Sequence, residues 1–183
     1  HKEHKYNIER MMLAMQESLS YYSSNFTPYQ YEQLRIMEFP RYQQFAQSFP
    51  AAIPFSEALG FVLDINDKTD IDMAFYITAH EVAHQWFGMQ IEAANVQGRN
   101  FVLETLSQYA AVMVFKKKYG KEKVIQFLEL QQEEYKRKRK KVTKETTLSL
   151  VEEQDFVYYN KGAIAMYKLQ KLIGEDKVNN IST

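Results

Sequence analysis

Cysteine is absent from this chain, so no disulfide can staple it and no thiolate can hold a metal. Any ion would have to be held by histidine and carboxylate. The absence leaves the compartment open, because a cysteine-free domain survives in either redox state. Proline and glycine are scarce, at 4 and 6 residues, which leaves little room for linkers. Net charge is missing too: 23 Lys and Arg balance 23 Asp and Glu. No whole-molecule field therefore draws the protein to nucleic acid or anionic lipid. No apolar run approaches the roughly 18 residues of a membrane helix, the opening residues do not read as a secretory leader, and no internal repeat appears. What remains is a 183-residue chain, 45% hydrophobic and 25% charged, sized for one globular domain. It starts at His1 and stops at "NNIST" in mid-pattern. We therefore expect a piece of a longer protein, with any targeting or membrane segments lying outside it.

Periodicity predicts a mostly helical α+β fold. "IERMMLAMQESLSYY" (8–22) carries Ile8, Met11, Met12, Met15 and Leu19 at helical spacing. "QLRIMEF" (33–39) alternates like a strand, and "EALGFVLD" (57–64) is a second strand candidate. The stretch between them is punctuated by proline and reads as irregular. A long helix fits 71–87, with Asp70 as N-cap and Gly88 as the stop. Further helices fit 101–118, 121–141 and 158–174, the last ended by Gly174. Residues 1–70 should form a lobe with one helix and the small sheet, and 71–183 a helical lobe, within a single domain.

Inside the helix over 71–87, "AHEVAHQWFG" sets His80 and His84 four residues apart. On a helix that spacing stacks two imidazoles on one face, able to meet at one ion. Glu81 lies about 100° further round, off the ligand face but beside the ion's open position, where it can take a proton from water. A catalytic zinc needs a third protein ligand. Glu104 fits: a turn over 89–99 folds the next helix back beside His84, and a carboxylate in an apolar segment needs a partner. The competing reading makes His80 and His84 core histidines and turns Glu104 to solvent. The helix context and the apolar ligand face favour one zinc ion.

"HEVAHQWFG", then "ETLSQYAA", then "YNKGA" resemble the catalytic domain of zinc peptidases of the aminopeptidase N and leukotriene-hydrolase type, in the gluzincin clan. The resemblance runs from "IERMM" to "YKLQKL". It implies a thermolysin-like fold, zinc held by His80, His84 and Glu104, Glu81 as general base, and Tyr159 steadying the oxyanion. A peptide would be the substrate. For Tyr159 the competing reading is packing, since the chain holds 13 tyrosines and Tyr158 is adjacent.

Three departures from the family pattern stand out. The residues between His84 and Glu104 (85–103) are one more than usual. Leu103 and Thr105 replace the asparagine and glycine that flank the third ligand, so its outer hydrogen bonding must differ. Most consequential, the family's G-x-M-E-N stretch, whose glutamate binds the substrate's α-amino group, falls on "FAQSF" (45–49). Gln47 and Ser48 stand at the methionine and glutamate positions and become candidate substrate-binding residues. Serine offers only a neutral hydrogen bond where a carboxylate gives a charge-assisted one. Glu38 lies too early to substitute, and Glu57 is the remaining stand-in. The expected activity is thus a zinc metallopeptidase with altered N-terminus recognition. The alternative is a zinc-bearing peptide-recognition or structural module of a larger, membrane-associated assembly. The basic runs at 115–123 and 135–144 read as solvated helix faces rather than a nucleic-acid surface. The methionines read as core packing, and "NFT" (25–27) as a glycosylation acceptor only in a secretory setting.

Overall fold

A computed structural model describes residues 5–181. Helix α1, Ile8–Asn25, buries Met11, Ala14, Met15, Ser18, Tyr21 and Tyr22. Ile8 and Met12, expected inside, are 39% and 42% exposed, so the buried face is rotated toward Ser18 and Tyr22. The reason lies in Tyr22. Its fully buried ring packs edge-on to Trp86 and its hydroxyl donates to the Ala79 carbonyl at 2.9 Å, docking α1 on the next helix.

Strand β1, Arg35–Phe39, lies where expected and pairs in parallel with β2, Ala52–Ser56. Here the sequence reading needs correction: β2 falls in the proline-punctuated stretch, and 57–64 is a series of turns. Pro54 misleads because it cannot donate to a ladder. It sits in β2 all the same, accepting from the Gln47 N–H at 3.1 Å without returning the bond. In 57–64, Asn7 Nδ2 donates to the carbonyls of Gly60 and Leu63, which ties those turns to the start of α1. On the other side of β2 the segment 45–49 pairs antiparallel through Phe45, Gln47 and Phe49, with bridges Ala46↔Phe55 and Phe49↔Ala52.

Helix α2, Met73–Ala83, is shorter than expected. Asp72, rather than Asp70, caps it by accepting from the Phe75 N–H at 2.8 Å, and Asp70 instead closes the preceding turn on the Asn66 N–H. His84 occupies the C-cap position, and the chain then turns to Gly88 at φ 135°, conformational ground that favours glycine. A π-helical turn, Phe101–Thr105, leads into α3, Leu106–Arg139. The two helices expected over 101–118 and 121–141 are the two arms of this rod, bent at Gly120 (φ 82°, ψ 175°). A second π-helical turn, Phe156–Lys161, opens α4, Gly162–Ile173, and a short α5, Glu175–Ile181, follows Gly174. One core cluster runs from Met11 of α1 through Phe55, Phe75, Trp86 and Phe115 to Val178 of α5. The architecture is α+β and mostly helical, and among the described residues no helix is long and apolar enough to cross a membrane.

Candidate metal centre

His80 and His84 come from successive turns of α2, their ring centroids 4.7 Å apart and their planes nearly perpendicular. Their Nε2 atoms face each other at 3.1 Å. Glu104, reaching in from the first π-turn, brings Oε2 to 3.4 Å from His80 Nε2 and 3.5 Å from His84 Nε2. Ligands about 2.0–2.1 Å from a tetrahedral ion stand about 3.3 Å from one another. The three separations match that spacing. Glu104 Oε2 is buried and has no hydrogen-bond partner among the described residues, the condition of an atom that awaits a cation. His80, His84 and Glu104 could together hold a metal ion.

The surroundings orient the set. His84 Nδ1 lies 3.1 Å from the Phe87 carbonyl, so its proton belongs on that nitrogen and the Nε2 lone pair is left to face His80 and Glu104. Ser107 Oγ lies 3.2 Å from the same Nδ1 and donates to the Leu103 carbonyl. Burial alone would lower the His84 pKa, but the Glu104 and Glu81 carboxylates and the Phe87 carbonyl outweigh it, and the pKa rises. Burial would likewise raise that of Glu104, but the two imidazoles hold the carboxyl well below its ordinary 4.5.

Glu81 is buried at the wall of the cleft beside the two histidines. Burial pushes its carboxyl above 4.5, against the opposing pull of His80 and His84. Tyr159 stands in the second π-turn, its ring 5.9 Å from that of His80. Burial raises its phenol pKa strongly, and Glu104 adds to the rise, so the hydroxyl stays a donor at neutral pH. The two π-turns are joined directly: Thr105 Oγ1 donates to the Tyr158 carbonyl at 2.8 Å. Gly162 makes the join feasible, since a Cβ there would meet Thr105 Oγ1 at 2.7 Å and Cγ2 at 2.9 Å. The extra residue between His84 and Glu104 therefore does not displace the carboxylate, and Thr105 carries a new outer contact.

His80, Glu81, His84, Glu104 and Tyr159 line one cleft of about 620 Å³, which Gln47 and Ser48 also line. Ser48 is not free, however. Its Oγ accepts from Gln85 Nε2 at 2.5 Å. Sequence reasoning missed Gln85, which is fully buried and also donates to the Phe49 carbonyl while its Oε1 accepts from the Ala51 N–H. Its only sequence signal is its place directly after the second histidine. Glu57, the proposed stand-in, is engaged by the Arg41 main chain at 3.1 Å and does not line the cleft.

Two imidazoles and one carboxylate, with a buried acid beside them and one side open to a cleft, are the donor set of the zinc hydrolases. The family model of the peptidase family M1 domain matches residues 10–181. The chain belongs to that family, and is thus a peptidase domain of the metallopeptidase class. A search of curated proteins finds no match.

Proposed function

We propose that this chain is a thermolysin-like zinc peptidase domain that hydrolyses peptides in an aminopeptidase-like manner, with one zinc ion on His80, His84 and Glu104. The observation that carries the reading is the orphaned Glu104 Oε2, set at tetrahedral spacing from two imidazole nitrogens. Zinc, when bound, supplies a Lewis acid that activates water and polarises a carbonyl. The chain supplies the rest. Glu81, with its raised carboxyl pKa, takes a proton from the attacking water and returns it to the leaving amine. Tyr159 donates a hydrogen bond to the oxyanion of the tetrahedral intermediate. The peptide is held extended along 45–49. Phe45, Gln47 and Phe49 bond to β2, so the main-chain groups of Ala46 and Ser48 point the other way and, among the described residues, are left as an edge to pair with.

With Ser48 in place of a carboxylate, and its oxygen held by Gln85, the substrate's amino group loses its charged anchor here. The same contact favours a second reading, a module that binds peptides without turning them over. One experiment separates the two. Zinc-loaded protein, offered a mixed peptide library, should release products, and Glu81→Gln should lower the rate by about 10²–10⁴-fold while metal content stays at one ion per chain. Binding without product from the unaltered protein would establish the second reading. Full-rate cleavage by Glu81→Gln would remove Glu81 from the mechanism.

A further inference from the structure

Arg99 takes no part in these steps, yet it lines the same cleft as Glu81, Glu104, Ser48 and Tyr159. Apart from the two imidazoles it is the only basic residue there among the described residues. Its guanidinium makes no hydrogen bond or ion pair among the described residues. An exposed arginine is commonly just solvated, but the main chain on both sides of this one is pinned. Gly98 is buried at φ 93°, and a Cβ there would stand 2.1 Å from the Ser149 carbonyl oxygen, so no other residue fits. Asn100 Nδ2 donates to the Glu152 carbonyl at 2.5 Å. Arg99's own N–H closes a turn on the Val96 carbonyl at 3.2 Å. The segment 149–152 thus clamps both neighbours and presents the guanidinium from a fixed base.

The acids of the cleft are Glu81, Glu104 and Glu92. The first two are committed to the proton transfer and the metal, and a bound dication offsets their charge. The charged groups left to read a substrate are Arg99 and the exposed Glu92. A guanidinium presents a planar fork of donors matched to a carboxylate, and it keeps its charge at any working pH.

We propose that Arg99 binds a carboxylate of the peptide, so that this cleft selects substrates with an acidic group close to the bond that is cut. The inference rests on the peptidase reading and deepens it. The carboxylate can come from an Asp or Glu side chain or from a free C-terminus, and both present the same chemistry to the fork.

Calorimetric titration tests it without relying on turnover. Zinc-loaded Glu81→Gln protein is titrated with five-residue alanine peptides that carry one Glu or one Gln at each position in turn. Each peptide is made with a free and with an amidated C-terminus. An acidic peptide should bind about tenfold more tightly than its neutral partner, a gap that shrinks as salt is added. Whichever pair shows the gap, Glu against Gln or free against amidated, names the source of the carboxylate. Arg99→Ala should abolish the gap and Arg99→Glu should reverse it, while the neutral amidated peptide binds both variants as before. Equal affinities throughout, or none measurable, would overturn the proposal. So would a gap that survives Arg99→Ala, or one that vanishes in Glu92→Gln instead. A gap present in a protein that hydrolyses nothing would leave Arg99 in its role and remove only the catalytic reading.

Discussion

Two contacts on one ring nitrogen decide what His84 can do. With Nδ1 facing the Phe87 carbonyl, Nε2 is left as a lone pair, and neutral imidazole is the form that binds metal. The role proposed for Tyr159 follows the opposite logic, because an oxyanion donor must keep its proton. Burial and the nearby Glu104 carboxylate disfavour the phenolate, so the hydroxyl remains available to an oxyanion. Tyr159→Phe should therefore lower kcat about 10²–10³-fold, the measured worth of one oxyanion donor. KM should stay nearly constant in steady-state assays. A rise in KM with unchanged kcat would assign Tyr159 to ground-state binding instead. At this scale the sequence was most legible where chemistry is written as spacing: His80 and Glu81 sit on one short helix with His84 at its C-cap, and Glu104 Oε2 lies 3.4 and 3.5 Å from the two imidazoles. Gln85 was illegible, because its partners Ser48, Phe49 and Ala51 lie more than thirty positions away and a glutamine carries no periodic signature.

Among the elements, the long amphipathic helices announced themselves through buried residues three and four apart, and Gly88, Gly120 and Gly174 each mark a break or bend. The two π-helical turns did not. A π-turn widens the coil locally by one residue and leaves the flanking periodicity almost intact, so it hides inside a helical pattern. Glu104 and Tyr159 both stand on such turns, which bulge toward the cleft from the starts of α3 and α4. Strand β2 hid for another reason: Pro54 breaks the local pattern, and its pairing with β1 is a long-range fact. The join between the π-turns is tight enough to test. Gly162→Ala should destabilise the protein by about 1–3 kcal/mol through overpacking against Thr105. Activity should fall further than stability, because the clash separates the turns that carry Glu104 and Tyr159. Adding Thr105→Ala should recover much of the stability, as a double-mutant cycle in denaturant melts would read. Additive losses would place the strain elsewhere.

For the molecule as a whole, the three candidate ligands lie on α2, at its C-cap and on the π-turn that opens α3, and one core packs α2 against α3, with Phe75, Phe115 and Tyr119 in edge-on and tilted ring contacts. An ion bound only by the folded chain stabilises it, by about 4 kcal/mol at a thousandfold excess over Kd. For a domain of this size that corresponds to a Tm about 8–16 °C higher. Chelation should lower the melting temperature by that amount and added zinc should restore it, as scanning calorimetry would show. A melting curve indifferent to both treatments would mean that the native state holds no ion at these residues.

Gln85 joins these scales. It directly follows the candidate ligand His84, and its amide grips the border strand along which a peptide would lie. In the proposed reading, ion and peptide would thus pull on adjacent links of the same chain. Whatever one occupant does to settle that pair of residues it does on behalf of the other, and linkage makes the favour mutual: an emptied centre would slacken the strand, and a seated peptide would slow the ion's escape.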